Sequence, residues 1–170
     1  MTEDTNKRQS PFRKILIYGY GNPGRQDDGL GNAFIEALEK WTGEGNVCGI
    51  ELESDYQLNI EDAQTIADKD LVIFVDASVE EDIVDFKLTR VDPSAATIEF
   101  TMHAVSAAFI LDLCRKLYHR EPNTYLLHIR GYAWDFREGV TDKAKRNLAK
   151  ALVFMKDQLV KPRKLEKLLV

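Results

Sequence analysis

Cysteine is scarce: Cys48 and Cys114 are the only two in 170 residues, each inside an apolar pattern and with no C-x-x-C spacing. That scarcity excludes a disulfide scaffold, a thiolate zinc site and a thioredoxin-type redox pair, and it leaves both thiols as buried, reduced core residues. Long apolar runs are missing too. None approaches the roughly 20 residues needed to span a bilayer, and the polar segment 1–13 lacks the apolar heart of a secretion signal. A cytoplasmic protein with no membrane partner is expected. Positive charge is in deficit, with 23 Lys and Arg against 28 Asp and Glu and a net charge of -5, so a nucleic-acid partner, which calls for a basic patch, is not expected. Repeats, low-complexity stretches and linkers are also lacking. With 44% hydrophobic and 30% charged residues, the composition fits one domain with a sizeable core. The expected division is a polar tail over 1–13, a single α/β domain over 14–160 and a tail over 161–170, acting as a monomer.

The domain reads as an alternation of strand and helix. The apolar run 15–18 fits a strand covered on both faces, and Leu30, Ala33, Phe34, Ala37, Leu38 and Trp41 follow at helical spacing. A second strand is expected over 47–52, a short helix marked by Ile60, Ala63 and Ala67, and a third strand over 71–75 that ends at Asp76. Over 83–91, Val84, Phe86 and Leu88 alternate with Asp85, Lys87 and Thr89, giving one buried face. The six residues 77–82 are too few for a crossover helix, so this strand should run antiparallel at an edge. A helix over about 103–118 should bury Phe109, Ile110, Leu113, Cys114 and Leu117, and a fifth strand should cover 125–129. The last helix, with Thr141 as N-cap, should bury Ala144, Leu148, Ala151, Leu152, Met155 and Leu159. The expected fold is a single-domain, three-layer α/β sandwich: a mostly parallel five-stranded sheet with one antiparallel edge strand and helices on both faces.

Between the first strand and its helix lies Gly19-Tyr20-Gly21-Asn22-Pro23-Gly24-Arg25-Gln26-Asp27-Asp28-Gly29. One of the paired acids could cap the helix, where a carboxylate satisfies free N–H groups. Gly19, Gly21 and Gly24 also match the dinucleotide pattern G-x-G-x-x-G, but the helix is expected to start only near Gly29, and two carboxylates would face the phosphates. A cation suits the segment better. If the first and third strands are neighbours, Asp28 and Asp76 meet at the sheet's carboxyl edge, where ligand sites of open parallel sheets lie. Two such carboxylates repel, and relief comes from a raised pKa or a bound cation. His103 would complete an oxygen, oxygen, nitrogen set suited to zinc, nickel, manganese or ferrous iron, with positions left open for water or substrate. His119 reads as a helix C-terminal residue, and His128, inside an apolar strand, as a hydrogen-bonded core histidine. Neither Ser78 nor Ser106 stands in a G-x-S-x-G turn, so a serine nucleophile has no support.

These residues together resemble the hydrogenase maturation endopeptidases, which trim the large-subunit precursor of nickel-iron hydrogenases. The resemblance runs through Gly19-x-Gly21-Asn22-Pro23-x-Arg25-x-Asp27-Asp28-Gly29-x-Gly31, Asp55-Tyr56-Gln57-Leu58, the strand ending in Asp76, His103-Ala104-Val105-Ser106, and Phe136-Arg137-Glu138-Gly139-Val140-Thr141. It implies an aspartic-type endopeptidase whose nickel-binding positions map onto Asp28, Asp76 and His103. It also implies that nickel arrives with the precursor, so that the isolated chain holds little metal. Asp55, Tyr56 and Gln57 are expected to shape a substrate wall on the same edge. Gly24 and Gln26 depart from the family pattern, which often carries a larger apolar residue and a glycine there, and Tyr56 stands where histidine is frequent. Gly21-Asn22-Pro23-Gly24 is also similar to peptidyl-tRNA hydrolase, but Arg25-Gln26-Asp27-Asp28 replaces that enzyme's continuation and its catalytic histidine is missing. A non-enzymatic nucleotide-binding module is the remaining alternative.

Overall fold

The computed structural model describes residues 14–45, 47, 49–96, 105–161 and 164. Strand β1 (Ile15–Tyr20) leads through a 3-10 segment (Pro23–Gly29) into helix α1 (Leu30–Gly43), followed by β2 (Ile50–Asp55), α2 (Asp62–Ala67) and β3 (Leu71–Ser78). Then come β4 (Phe86–Arg90), α3 (Ala107–Tyr118), β5 (Asn123–Arg130) and α4 (Asp142–Val160). The strands form one five-stranded sheet in the order β2-β1-β3-β5-β4. All pairings are parallel except β4 with β5, so the strand reached by the short connection is the antiparallel edge. This is the expected α/β fold.

Helices cover both faces, which is why β1 and β3 are apolar on both. On one face Phe34 and Leu38 of α1 and Ala151 and Met155 of α4 pack on Ile15, Ile17, Ile73 and Val75. On the other, Ile66 of α2 and Ile110, Leu111 and Cys114 of α3 pack on Leu16, Val72 and Phe74. Residues such as Phe34 and Phe74 are fully buried, each worth about 2–3 kcal/mol of hydrophobic stabilisation. Cys114 is the expected core thiol, its pKa raised by burial; Cys48 lies outside the described residues.

Several element limits differ from expectation for local reasons. β2 starts three residues later than 47, because Gly49 takes φ +81° and breaks the extended chain before Ile50 pairs with Ile15. Val84 is 81% exposed, lying ahead of the shorter β4, and Ile60 is 58% exposed ahead of α2. Helix α3 begins at Ala107, where the Ser106 hydroxyl accepts from the Phe109 N–H. Its inward stripe takes in Leu111 and leaves Leu117 60% exposed. The sheet order carries the main consequence for function. From β1 the chain winds outward to β2 on one side and returns to β3 on the other, so the carboxyl ends of β1 and β3 flank a topological switch point.

Candidate active site

Three glycines bring the acidic segment down onto these strand ends. A Cβ on Gly19 would lie 2.2 Å from the Gly31 carbonyl oxygen, and one on Gly31 would lie 2.5 Å from that of Val75. Helix α1 therefore starts in direct backbone contact with β1 and β3. Gly21 has φ +147°, and a Cβ there would be 1.9 Å from the Asp28 carbonyl oxygen. Only glycine permits this crossing of the turn under the Asp28 backbone.

The two adjacent acids have separate work, and neither caps α1, whose N-cap is Gly29 with no side-chain bond. Asp27 is fully buried. Its carboxylate accepts from the N–H groups of Tyr132 (2.7 Å), Ala133 (3.1 Å) and Thr141 (2.7 Å) and from the Thr141 hydroxyl (2.8 Å). Thr141 is the N-cap of α4, so Asp27 latches the 131–141 loop and the last helix to the glycine turn. Its neighbours reinforce the latch. The Gln26 N–H donates to the Arg137 carbonyl at 2.9 Å, the Gln26 Oε1 accepts from the Asp135 N–H at 3.2 Å, and the Arg25 guanidinium sits 5.0 Å over the Phe136 ring. Gln26 itself is a buried non-glycine residue at φ 47°, ψ -116°, a conformation that costs on the order of 1–3 kcal/mol outside glycine.

Asp28 takes no part in the latch. Its Oδ2 accepts only one described bond, from the Asn22 N–H at 3.0 Å, and the side chain is half-buried at the switch point. Asp76, at the carboxyl end of β3, is its partner across the crevice. Burial raises the Asp76 pKa to about 7, the charge of Asp28 adds to the rise, and bonds from the Ala77 N–H and the Tyr20 hydroxyl oppose it. Tyr20 closes β1 beside Asp76 and packs edge-on against Phe74 at 6.3 Å. Burial and the Asp76 carboxylate hold its phenol well above the usual tyrosine pKa, so it stays a donor. His103 lies outside the described residues, and among the described residues no three His, Cys, Asp or Glu side chains converge as a metal set.

Asp55 ends β2 on the same edge. Its carbonyl accepts from the Gly21 N–H and the Asn32 amide, both at 3.1 Å, tying the second strand to the glycine turn. Its carboxylate accepts from the Tyr56 N–H at 2.6 Å and the Asn59 amide at 3.4 Å. Asp55 and Tyr56 line a groove of about 560 Å³ against α1 and residues 138–140, whereas Gln57 is exposed and does not line it. The other histidines take bland roles. His128 shares a 2.9 Å hydrogen bond with the Thr89 hydroxyl, and burial lowers its pKa. His119 closes α3 in the left-handed conformation at φ 54°.

Tyr20 and the Asp27 latch were not anticipated from the residues alone. The signal for the latch is the Thr141 N-cap after a glycine-containing turn, but nothing local joins it to Asp27. For Tyr20 the signal is an aromatic hydroxyl two residues past the apolar run 15–18, at a position that the motif leaves open.

No protein-family model matches the chain, and no curated protein matches it. Solved structures do. The fold is similar to that of a NiFe hydrogenase maturation protease HycI from Thermococcus kodakarensis KOD1, with TM-score 0.69 and 19% identity over 88% of this chain and 94% of that one. It is also similar to the hydrogenase maturating endopeptidase HybD from E. coli, with TM-score 0.65 and 20% identity over 84% of this chain and 89% of that one. A third neighbour, an endopeptidase from Escherichia coli, has TM-score 0.67 and 22% identity, with 85% and 92% covered. The chain thus has the fold of the hydrogenase maturation proteases.

Proposed function

We propose that this chain is a hydrogenase maturation endopeptidase that removes the C-terminal extension from the large-subunit precursor of a nickel-iron hydrogenase. The juxtaposition of Asp28 and Asp76 at the β1/β3 switch point carries the reading. It presents two carboxylates, one fixed through the glycine turn and one through β3 and Tyr20, on the edge where this architecture binds ligands. The likeness to the maturation proteases supports it, as does the motif from Gly19 to Gly31. In this reading Asp28, Asp76 and His103 complete the coordination of a nickel ion that the precursor already holds, and the metal is part of the substrate. Oxygen and imidazole donors with no thiolate suit such shared coordination better than tight independent binding. Asp55 and Tyr56, with Gln57 beyond them, flank the path of the precursor's chain. The protein works in the cytoplasm as a monomer.

Incubation with nickel-loaded and nickel-free precursor, followed by intact mass, tests the proposal. The loaded precursor should lose its extension and the nickel-free one should not. Alanine at Asp28 or Asp76 should abolish the loss. Efficient trimming of nickel-free precursor under chelation would overturn nickel recognition, and no trimming of any loaded precursor would overturn the peptidase reading.

A further inference from the structure

We infer that the groove between α1 and the end of β2 receives about three residues of an extended, positively charged segment of the precursor; this rests on the processing function proposed above. The floor of the groove is apolar, from Ala33 and Ile35 of α1 and Val140 of the latched loop, and its rim is acidic. Glu36, Glu39, Asp55 and Glu138 line it, and among the described residues no lysine or arginine does. Glu36 is paired with Lys40 at 3.2 Å, and the Asp55 carboxylate already accepts from its own turn. Glu39 of α1 and Glu138 of the loop before α4 are therefore the charges that a ligand meets first.

Like charges facing each other across a concave surface concentrate negative potential there, which attracts cations and repels phosphates. The lining carboxylates do not converge on a point, since among the described residues no three His, Cys, Asp or Glu side chains could hold a metal. The potential thus suits a charge spread along a chain. From Asn32 to Glu39 the groove follows seven helical steps of α1, about 10 Å at the helical rise, which is about three residues of extended chain. Tyr56, which lines the groove, is 69% exposed. Exposed aromatics flanking an apolar floor are the usual anchors of a docked segment. The position fits the function, because Pro23, Gln26 and Gly29 of the segment that bears Asp28 also line the groove. A chain lying in it passes directly beside the candidate active site.

The test uses the full chain in EDTA and two fluorescein-labelled decapeptides, one alternating alanine with lysine and one alternating alanine with glutamate. By anisotropy the lysine peptide should bind at least tenfold more tightly. Glu39→Gln and Glu138→Gln should each weaken it roughly threefold, the effect expected of an exposed ion pair, and Asp28→Ala should leave it unchanged. Amide shifts in a titration should gather at Ala33, Tyr56 and Gly139. Equal binding of the two peptides, an unaffected double glutamine variant, or shifts gathered elsewhere would overturn the inference. With nickel-loaded precursor the double variant should raise KM and leave kcat unchanged. If no loaded precursor is trimmed by the unaltered protein, the processing function fails, while the peptide measurements still decide the groove.

Discussion

Replacing Asp76 by asparagine should stabilise the metal-free protein at alkaline pH, although the residue sits in the candidate active site. Asp76 titrates near pH 7 in the fold instead of the ordinary 3.8, chiefly through burial and then through the charge of Asp28. Because the folded pKa lies above the unfolded one, the native state favours the protonated form. Below about pH 4 both states are protonated and the residue exerts no penalty. Between about pH 4 and pH 7 the unfolded carboxyl ionises first, and the fold loses stability progressively until Asp76 ionises too. The rise from 3.8 to about 7 corresponds to about 4 kcal/mol as an upper bound. An asparagine keeps the shape and one acceptor oxygen for the donors around it, but it carries no charge. Urea titrations in EDTA should show the variant within about 1 kcal/mol of the parent at pH 4 and more stable by up to about 4 kcal/mol at pH 8. A variant less stable than the parent at pH 8, or a difference that does not grow from pH 4 to pH 8, would refute the electrostatic account of this crevice.

Asp27 and Asp28 should part company in the same assay. Asp27→Ala leaves three backbone N–H groups and the Thr141 hydroxyl without their acceptor, costing about 3–5 kcal/mol, whereas Asp28→Ala should stay within about 1 kcal/mol. At position 26 the usual helix-and-turn ranking should reverse. Both Gln26→Gly and Gln26→Ala lose the bond to the Asp135 N–H, but only glycine relieves the positive φ, so by chemical denaturation the glycine variant should be the more stable by about 1–2 kcal/mol. Tyr20→Phe removes the hydroxyl that holds Asp76. On the proposed function, in which Asp76 is a ligand to the precursor's nickel, it should slow trimming of nickel-loaded precursor by about tenfold, the usual effect of losing a partner that orients a metal ligand, with the melting temperature shifted by only a few degrees.

What could be read from the residues, and what could not, divides by distance along the chain. The apolar runs of β1 and β3 and the alternation around Phe86 and Leu88 are local patterns, and the connection over 77–82 is short enough to force the antiparallel edge. The meeting of Asp28 with Asp76 needed one further fact, that β1 and β3 are neighbours, and the sheet order supplies it. The separation of duties within the acidic pair was out of reach, because it depends on a partner 114 residues away. Asp27 and Asp28 are chemically identical neighbours, and only the arrival of Thr141 and the 131–141 backbone at one of them saturates its oxygens. The consequence is mechanical as well as chemical. With Asp27 and Gln26 binding the loop before α4, and the Asp55 carbonyl binding Gly21 and Asn32, the glycine turn is held from both sides. A glycine-rich segment thereby becomes a rigid mount for Asp28, the preorganisation that the proposed meeting with a precursor-held ion would call on.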